Sequence, residues 1–325
     1  MIAATGLDPF RVHGGRVEAA RSMFGGDDWI DLSTGIAPWP YPVRADPADR
    51  LPDPAALAAL ESAAGAAFGV PIERSVVAVS GSDLALRLLA MVLGAKHPAV
   101  VRPGYGGHVA AWPHAATITF DALEQAADAH DLIVLASPGN PDGRVLDQSR
   151  GVALAARTRL VVDEAYADTL PGSGDLAAES VVQLRSFGKF YGLPGLRLGF
   201  AIAVPAVADR LRALIGDWPV STGAIATGTA AYRDIAFRTA QAERIAAGSE
   251  ALDAVLAEAG FAVFGNAPLF RLIACDDADA LFRFLASRAI LTRPFADRGD
   301  RLRLGLPADT RSAIRLSVAL REYCR

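Results

Sequence analysis

The chain reads as an α/β protein in which a mostly parallel sheet, covered by helices on both faces, is followed by a smaller α+β unit. Three observations predict this. From residue 76 to 204 short β-branched runs alternate with helical stretches, beginning VVAVS, DLALRLLAMVLG and AVVRPG, which is the rhythm of βαβ units. The runs LIVLA at 132–136 and LVV at 160–162 are apolar at every position, as strands buried on both faces are. Past residue 260 the order changes to FAVF, LFRLIAC, a helix, RLRLGL and a last helix, so the tail forms a different kind of unit.

In chain order, residues 1–45 are rich in glycine and proline and are expected to be irregular and to pack on the small unit. The large unit is expected to span 46–235. Within it GGHVAAWPHA, LEQAADAHD and SRGVALAART supply helices around the strands ATITF, LIVLASP and RLVVDEAY. VVQLRSF and LGFAIA follow without a full crossover helix, so at least one of them is expected to run antiparallel. An alanine-rich charged stretch at 236–259, stopped by Gly260, reads as a helix linking the two units, and 236–325 form the small one.

Composition narrows the function. The 325 residues are enough for a substantial core. Although 52% of them are hydrophobic, Arg87 and Lys96 interrupt the apolar runs before any reaches the roughly 18 residues of a membrane span, so no membrane insertion is expected. A net charge of -4, from 32 basic and 36 acidic residues mixed along the chain, offers no footprint for nucleic acid. Cys275 and Cys324 lie far apart without metal-type spacing, so no metal is expected. The opening MIAATGLDPFRVHGG lacks the pattern of a signal peptide, and the expected compartment is the reducing cytoplasm.

The chemistry gathers in RSFGKFYGLPGLRLGF. Lys189 follows a strand that reads as buried, and desolvation there would lower its pKa and free an amine able to attack an aldehyde; alone, it reads as a loop lysine in water. Arg197 and Ser186 bring a cation and a hydroxyl to the same segment, which suits a phosphate, against the ordinary reading of a surface ion pair and a strand-end cap. Asp163 ends an apolar strand, where a carboxylate needs a positive partner such as a protonated pyridine nitrogen, or serves as a helix cap. Ser80-Gly81-Ser82-Asp83, between a strand and a helix, sets free N–H groups at a helix start, a phosphate seat or a plain N-cap. SPGNPDG at 137–143, with Asn140, is a turn by composition.

Taken in order, these pieces resemble the fold-type I, aspartate-aminotransferase-like enzymes that use pyridoxal 5'-phosphate (PLP), from about residue 32 to the C-terminus. The resemblance implies a three-layer αβα PLP-dependent transferase fold. It makes Lys189 the Schiff-base lysine, Asp163 the partner of the ring nitrogen, and Asn140 and Tyr166 hydrogen-bonders to the ring's 3-oxygen. Tyr105, in RPGYGGH, matches the stacking aromatic. Gly81, Ser82, Asp83, Ser186 and Arg197 match the phosphate cup, and Arg303, in RLRLGLP, the arginine that grips the substrate's α-carboxylate.

Within that family HGGRVEAA, DLSTGIAPWPYP and LPDPAALAALE are similar to the L-threonine-O-3-phosphate decarboxylases of cobalamin biosynthesis, relatives of the histidinol-phosphate aminotransferases. This implies decarboxylation of L-threonine O-3-phosphate to (R)-1-amino-2-propanol O-2-phosphate, an amino-acid phosphate substrate near Gly35, a role for His13 on its phosphate, and a homodimer. The chain departs from the pattern at Leu51, where many relatives carry a tyrosine that reaches the neighbouring subunit's cofactor phosphate, and at Ala37, where an asparagine often precedes the proline. The competing expectations are an aminotransferase using the same lysine and a non-catalytic PLP-binding scaffold.

Overall fold

In the computed structural model the described residues are 6–43, 49–170, 176, 178–265 and 267–324. They form two compact units, one built from residues up to 39 together with 242–325, the other from 40–241. The second division falls inside the helix Ile235–Glu258.

The unit 40–241 is built on a seven-stranded sheet. Its strands lie side by side in the order Ser75–Val79, Gly199–Ala203, Val181–Ser186, Arg159–Asp163, Leu132–Ala136, Pro98–Val101, Ala116–Ile118. All run parallel except Gly199–Ala203, which is antiparallel to both neighbours. The short return from Ser186 to Gly199 makes this unavoidable, because a parallel neighbour needs a crossover of a dozen or more residues and usually a helix. Successive residues of each central strand feed opposite faces. Leu132, Val134 and Val161 join one core with Leu86 and Leu89 of the helix Ser82–Leu93; Ile133, Leu135 and Val162 join another with Leu123 and Leu154. Each such side chain contributes about 1.5–3 kcal/mol by leaving water.

One guanidinium braces the loop after Asp163. Arg185, buried on the neighbouring strand, pairs with Glu164 at 2.8 Å and with Asp168 at 3.0 Å, so both ends of the segment that carries Tyr166 are tied to the sheet. Gln183 adds a 2.9 Å hydrogen bond to Glu164. Burial pushes the Asp168 carboxyl above its ordinary range despite the arginine.

In the other unit an antiparallel sheet is ordered Arg293–Phe295, Arg298–Gly305, Phe270–Ala274, Val263–Phe264, and it carries the helices Ala278–Ala286 and Thr310–Tyr323. The N-terminal segment departs from the irregular coil expected of it. It forms the helices Asp8–Val12 and Val17–Phe24 and the strand Ile30–Asp31, which pairs in parallel with Ile290–Leu291. The reason is tertiary: Phe10 and Phe24 pack on Phe282, and Arg293 donates to the carbonyls of Phe10 and Val12 at 2.7 and 2.6 Å, satisfying carbonyls at the end of a helix too short to stand alone. The helix Ile235–Glu258 stops where expected, with Gly260 at a φ of 81° and Phe261 N–H returning to the Leu256 carbonyl. Among the described residues no helix is long and apolar enough to cross a membrane.

Candidate active site

The site lies where an open α/β sheet presents ligands, past the carboxyl ends of its parallel strands. Pro98–Val101 leads to Tyr105, Leu132–Ala136 to Asn140, Arg159–Asp163 to Asp163 and Tyr166, Val181–Ser186 to Ser186 and Lys189, and Ser75–Val79 to Gly81, Ser82 and Asp83. The antiparallel strand starts at this same edge, with Gly199 paired between Val79 and Ser186, and this brings Arg197 to the group. Ten residues spread over more than a hundred positions thus meet at one rim.

Glycines make the approach possible. A Cβ on Gly199 would stand 2.4 Å from the Ser82 nitrogen and 3.0 Å from the Arg185 carbonyl oxygen, so strand and helix start are in backbone contact. A Cβ on Gly81 would stand 2.5 Å from Arg197 Nη2, and Gly81 has a φ of 88°, which a side chain disfavours. One on Gly188 would meet Pro194 Cα at 2.7 Å, which keeps the turn of Lys189 against the turn leading to Arg197.

The helix Ser82–Leu93 begins there with Gly81 at its N-cap and no side chain capping it; Leu84 N–H returns to the Gly81 carbonyl at 3.1 Å, and Gly81 itself lies against the Arg197 guanidinium. Arg197 is exposed, donates to the Pro194 carbonyl at 3.2 Å, and meets no carboxylate among the described residues. Ser186 likewise caps nothing. Among the described residues neither the surface ion pair nor the strand-end cap that an isolated reading suggests is formed, and a hydroxyl, a cation and a helix start lie together at the rim. That donor set fits a phosphate.

Lys189 sits on a one-turn helix, Phe187–Phe190, rather than in a loop; it is half-buried, its Nζ 5.8 Å from the centre of the Tyr166 ring. Asp163 is buried at its strand end, and Oδ1 accepts from Ala165 N–H at 3.2 Å. Its other oxygen, Oδ2, lies 3.0 Å from Nε2 of the fully buried His108. Sequence reasoning missed this histidine. The only signal was its place three residues past Tyr105 in RPGYGGH, with an apolar stretch following. The Ser137 N–H binds the Asp163 carbonyl at 3.0 Å, which holds the Asn140 turn against the aspartate's strand. Tyr105 donates to Asp83 Oδ1 at 3.1 Å, and burial together with that carboxylate pushes its hydroxyl up to about 12.

The remaining predicted residues belong to the other unit. Arg303, buried on Arg298–Gly305, donates from Nη2 to the Ser33 carbonyl at 2.8 Å and lies 4.9 Å from the Phe270 ring centre. The HGG turn is fitted to the same carbonyl: a Cβ on Gly14 would stand 2.3 Å from Ser33 O, and Gly15 N–H donates to Ser33 Oγ at 2.7 Å. His13 is exposed and Gly35 buried.

An α/β scaffold that gathers one amine, one buried carboxylate held by a histidine, and a rim of donors suited to a phosphate has the parts of an enzyme built around a phosphorylated aromatic cofactor. Comparison with known proteins agrees. Residues 45–319 match the family described as aminotransferase class I and II. The threonine-phosphate decarboxylase of Pseudomonas aeruginosa is 36% identical over 95% of this chain and 96% of its own, and that of a Sinorhizobium species 35% identical over 95% and 97%. A crystal structure of histidinol-phosphate aminotransferase from Sinorhizobium meliloti in complex with pyridoxal-5'-phosphate superposes with a TM-score of 0.79 at 23% identity, covering 95% of this chain and 94% of that one. The chain belongs to the class I and II aminotransferase family, whose cofactor is PLP. The residues at the rim fit that group: an amine for its aldehyde, a carboxylate for its ring nitrogen, and a cradle of glycine, serine and arginine for its phosphate.

Proposed function

We propose that this protein decarboxylates L-threonine O-3-phosphate, giving (R)-1-amino-2-propanol O-2-phosphate for cobalamin biosynthesis. The observation that carries this is near-full-length similarity to two threonine-phosphate decarboxylases, joined to the seating of the HGG turn on the very carbonyl that Arg303 binds.

Lys189 is the amine that holds the PLP aldehyde and, once released, the nearest base or acid for a proton at the substrate's α-carbon. Asp163 holds the ring nitrogen protonated, with His108 fixing the carboxylate's orientation. When bound, PLP supplies an electron sink for the charge left at the α-carbon. Asn140 and Tyr166 serve the ring oxygen, Tyr105 covers the ring face, and Gly81, Ser82, Ser186 and Arg197 form the phosphate seat, with Asp83 beside it at the start of the helix Ser82–Leu93. Arg303 takes the α-carboxylate as a fork, so that the bond to be broken is set by orientation. His13 and the segment at Gly35 serve the substrate's phosphate end.

Release of CO2 from phosphothreonine without a keto-acid acceptor is the test. Lys189→Ala should abolish both that release and the visible absorbance of bound cofactor. Amino transfer to a keto acid without CO2 would replace this reading by an aminotransferase.

We infer a homodimer from the same resemblance, and a reducing cytoplasmic home from the two free cysteines, Cys275 and Cys324. Light scattering of the purified protein decides the dimer, and a monomer would remove this part.

A further inference from the structure

We propose that the Asp83 carboxylate is a positioning residue acting through Tyr105, whose ring it fixes, and does not itself serve the cofactor phosphate. The inference rests on the reading of the site given above. It would leave the phosphate to the backbone at Ser82, to Ser186 and to Arg197.

Both carboxylate oxygens already have partners. Oδ1 accepts from the Tyr105 hydroxyl at 3.1 Å, and Oδ2 accepts from Arg87 Nε at 2.9 Å, one helical turn further along the same helix. A bare carboxylate among phosphate ligands would repel a dianion, whereas one spanned between a phenol and a guanidinium has a use for its charge. The arrangement also has a floor. A Cβ on Gly107 would stand 2.2 Å from Tyr105 Cε1 and 2.8 Å from Asp83 Oδ1, so ring and carboxylate both lie on the backbone of a residue that cannot carry a side chain. The ring also stands edge-on to His108, with centroids 5.6 Å apart and planes at 87°. A tyrosine ring has two torsions to lose. Here its tip is bonded, one face is against Gly107, and the ring that would cover the cofactor is ordered before anything binds. Burial and Asp83 keep the hydroxyl protonated, hence a donor, far above neutral pH.

The competing structural role is an acid in the first turn of Ser82–Leu93, where it favours the helix's positive end. A double-mutant cycle on PLP affinity separates the two, using Asp83→Ala, Tyr105→Phe and the pair, with Asp83→Asn as a shape-preserving second variant should the alanine form fold poorly. Asp83→Ala is expected to weaken PLP binding about tenfold. The pair should be no weaker than Tyr105→Phe alone. In the apo-protein, the tyrosinate absorbance that Tyr105→Phe removes should be absent up to about pH 11 in the wild type and should appear earlier in Asp83→Ala or Asp83→Asn, as the midpoint falls from about 12 toward the ordinary 10.0. Additive losses of affinity with an unmoved tyrosine titration would overturn the proposal while PLP binding itself stood. A wild-type protein that binds no PLP would instead defeat the reading of the site, and the apo titration would still report on the Asp83–Tyr105 pair.

Discussion

His108 donates a 3.0 Å hydrogen bond from Nε2 to Oδ2 of Asp163, and the imidazole is completely buried. An imidazole N–H donates to a carboxylate oxygen, so the proton of this bond is assigned to the histidine. Nδ1 is buried and has no hydrogen-bond partner among the described residues. Asp163 is thereby held from two sides, by the ring and by Ala165 N–H, with the aspartate's orientation set before a ligand arrives.

Replacing that histidine tests its role directly. A hydrogen bond to a charged group contributes about 1.5–3 kcal/mol, so His108→Phe should lower kcat/KM by about 10- to 100-fold, chiefly in kcat. Steady-state kinetics with saturating PLP check this, and an unchanged kcat would show that Asp163 needs no second anchor.

Arg303 should not be replaceable by lysine. Its guanidinium donates to Ser33 O at 2.8 Å and lies 4.9 Å from the centre of the Phe270 ring, which fixes the plane of a fork of the shape a carboxylate takes. A lysine ammonium is a point charge without that geometry. Arg303→Lys should raise KM about 10- to 100-fold while the spectrum of bound cofactor stays the same; a KM at the wild-type value would remove Arg303 from the substrate.

Gly199→Ala should damage the phosphate rim from beneath. The new methyl would meet the backbone of Gly81, Ser82 and Arg185, none of which can rotate away. We expect a loss of about 1–3 kcal/mol of stability and at least about tenfold weaker PLP binding. Gly195→Ala, where nothing lies within 4 Å, is the control and should stay within about 0.5 kcal/mol. Thermal melts and PLP titration of both variants check the contrast.

Alkaline stability follows from three tyrosines. Tyr105 is pushed up to about 12, and burial raises Tyr191 and Tyr232 well above the ordinary value. The unfolded chain loses these protons near 10.0 while the folded one keeps them, so their contribution to stability is full below pH 10 and is lost as pH rises toward 12. Tm should be flat up to about pH 9 and then fall steeply, with the tyrosinate signal of Tyr191 and Tyr232 appearing together with unfolding. Tyr232→Phe removes a buried hydroxyl that has no hydrogen-bond partner among the described residues and should shift the alkaline transition upward.

The parallel sheet, the antiparallel return, the linking helix and its glycine stop were legible because each rests on local signals: run length, apolar continuity and φ > 0 at glycine. The N-terminal helices were not. Val17–Phe24 buries only Ala20 fully, and its existence depends on where Phe24 packs, which no window of the sequence contains. The site divides the same way. Lys189, Ser186 and Arg197 share one short segment and could be read together, and the ordered resemblance supplied Asp163, Tyr105 and Arg303.

What the sequence by itself determined is an inventory: an amine, a carboxylate at a strand end, an arginine and serine for phosphate, and the family to which such a set belongs. Only the tertiary structure decided that His108 backs Asp163 and that Asp83 turns to Tyr105. Those pairings join residues 55 and 22 positions apart. Strand order and register bring them within 3 Å or so, and distances of that kind are fixed by packing, which spacing along a chain does not encode.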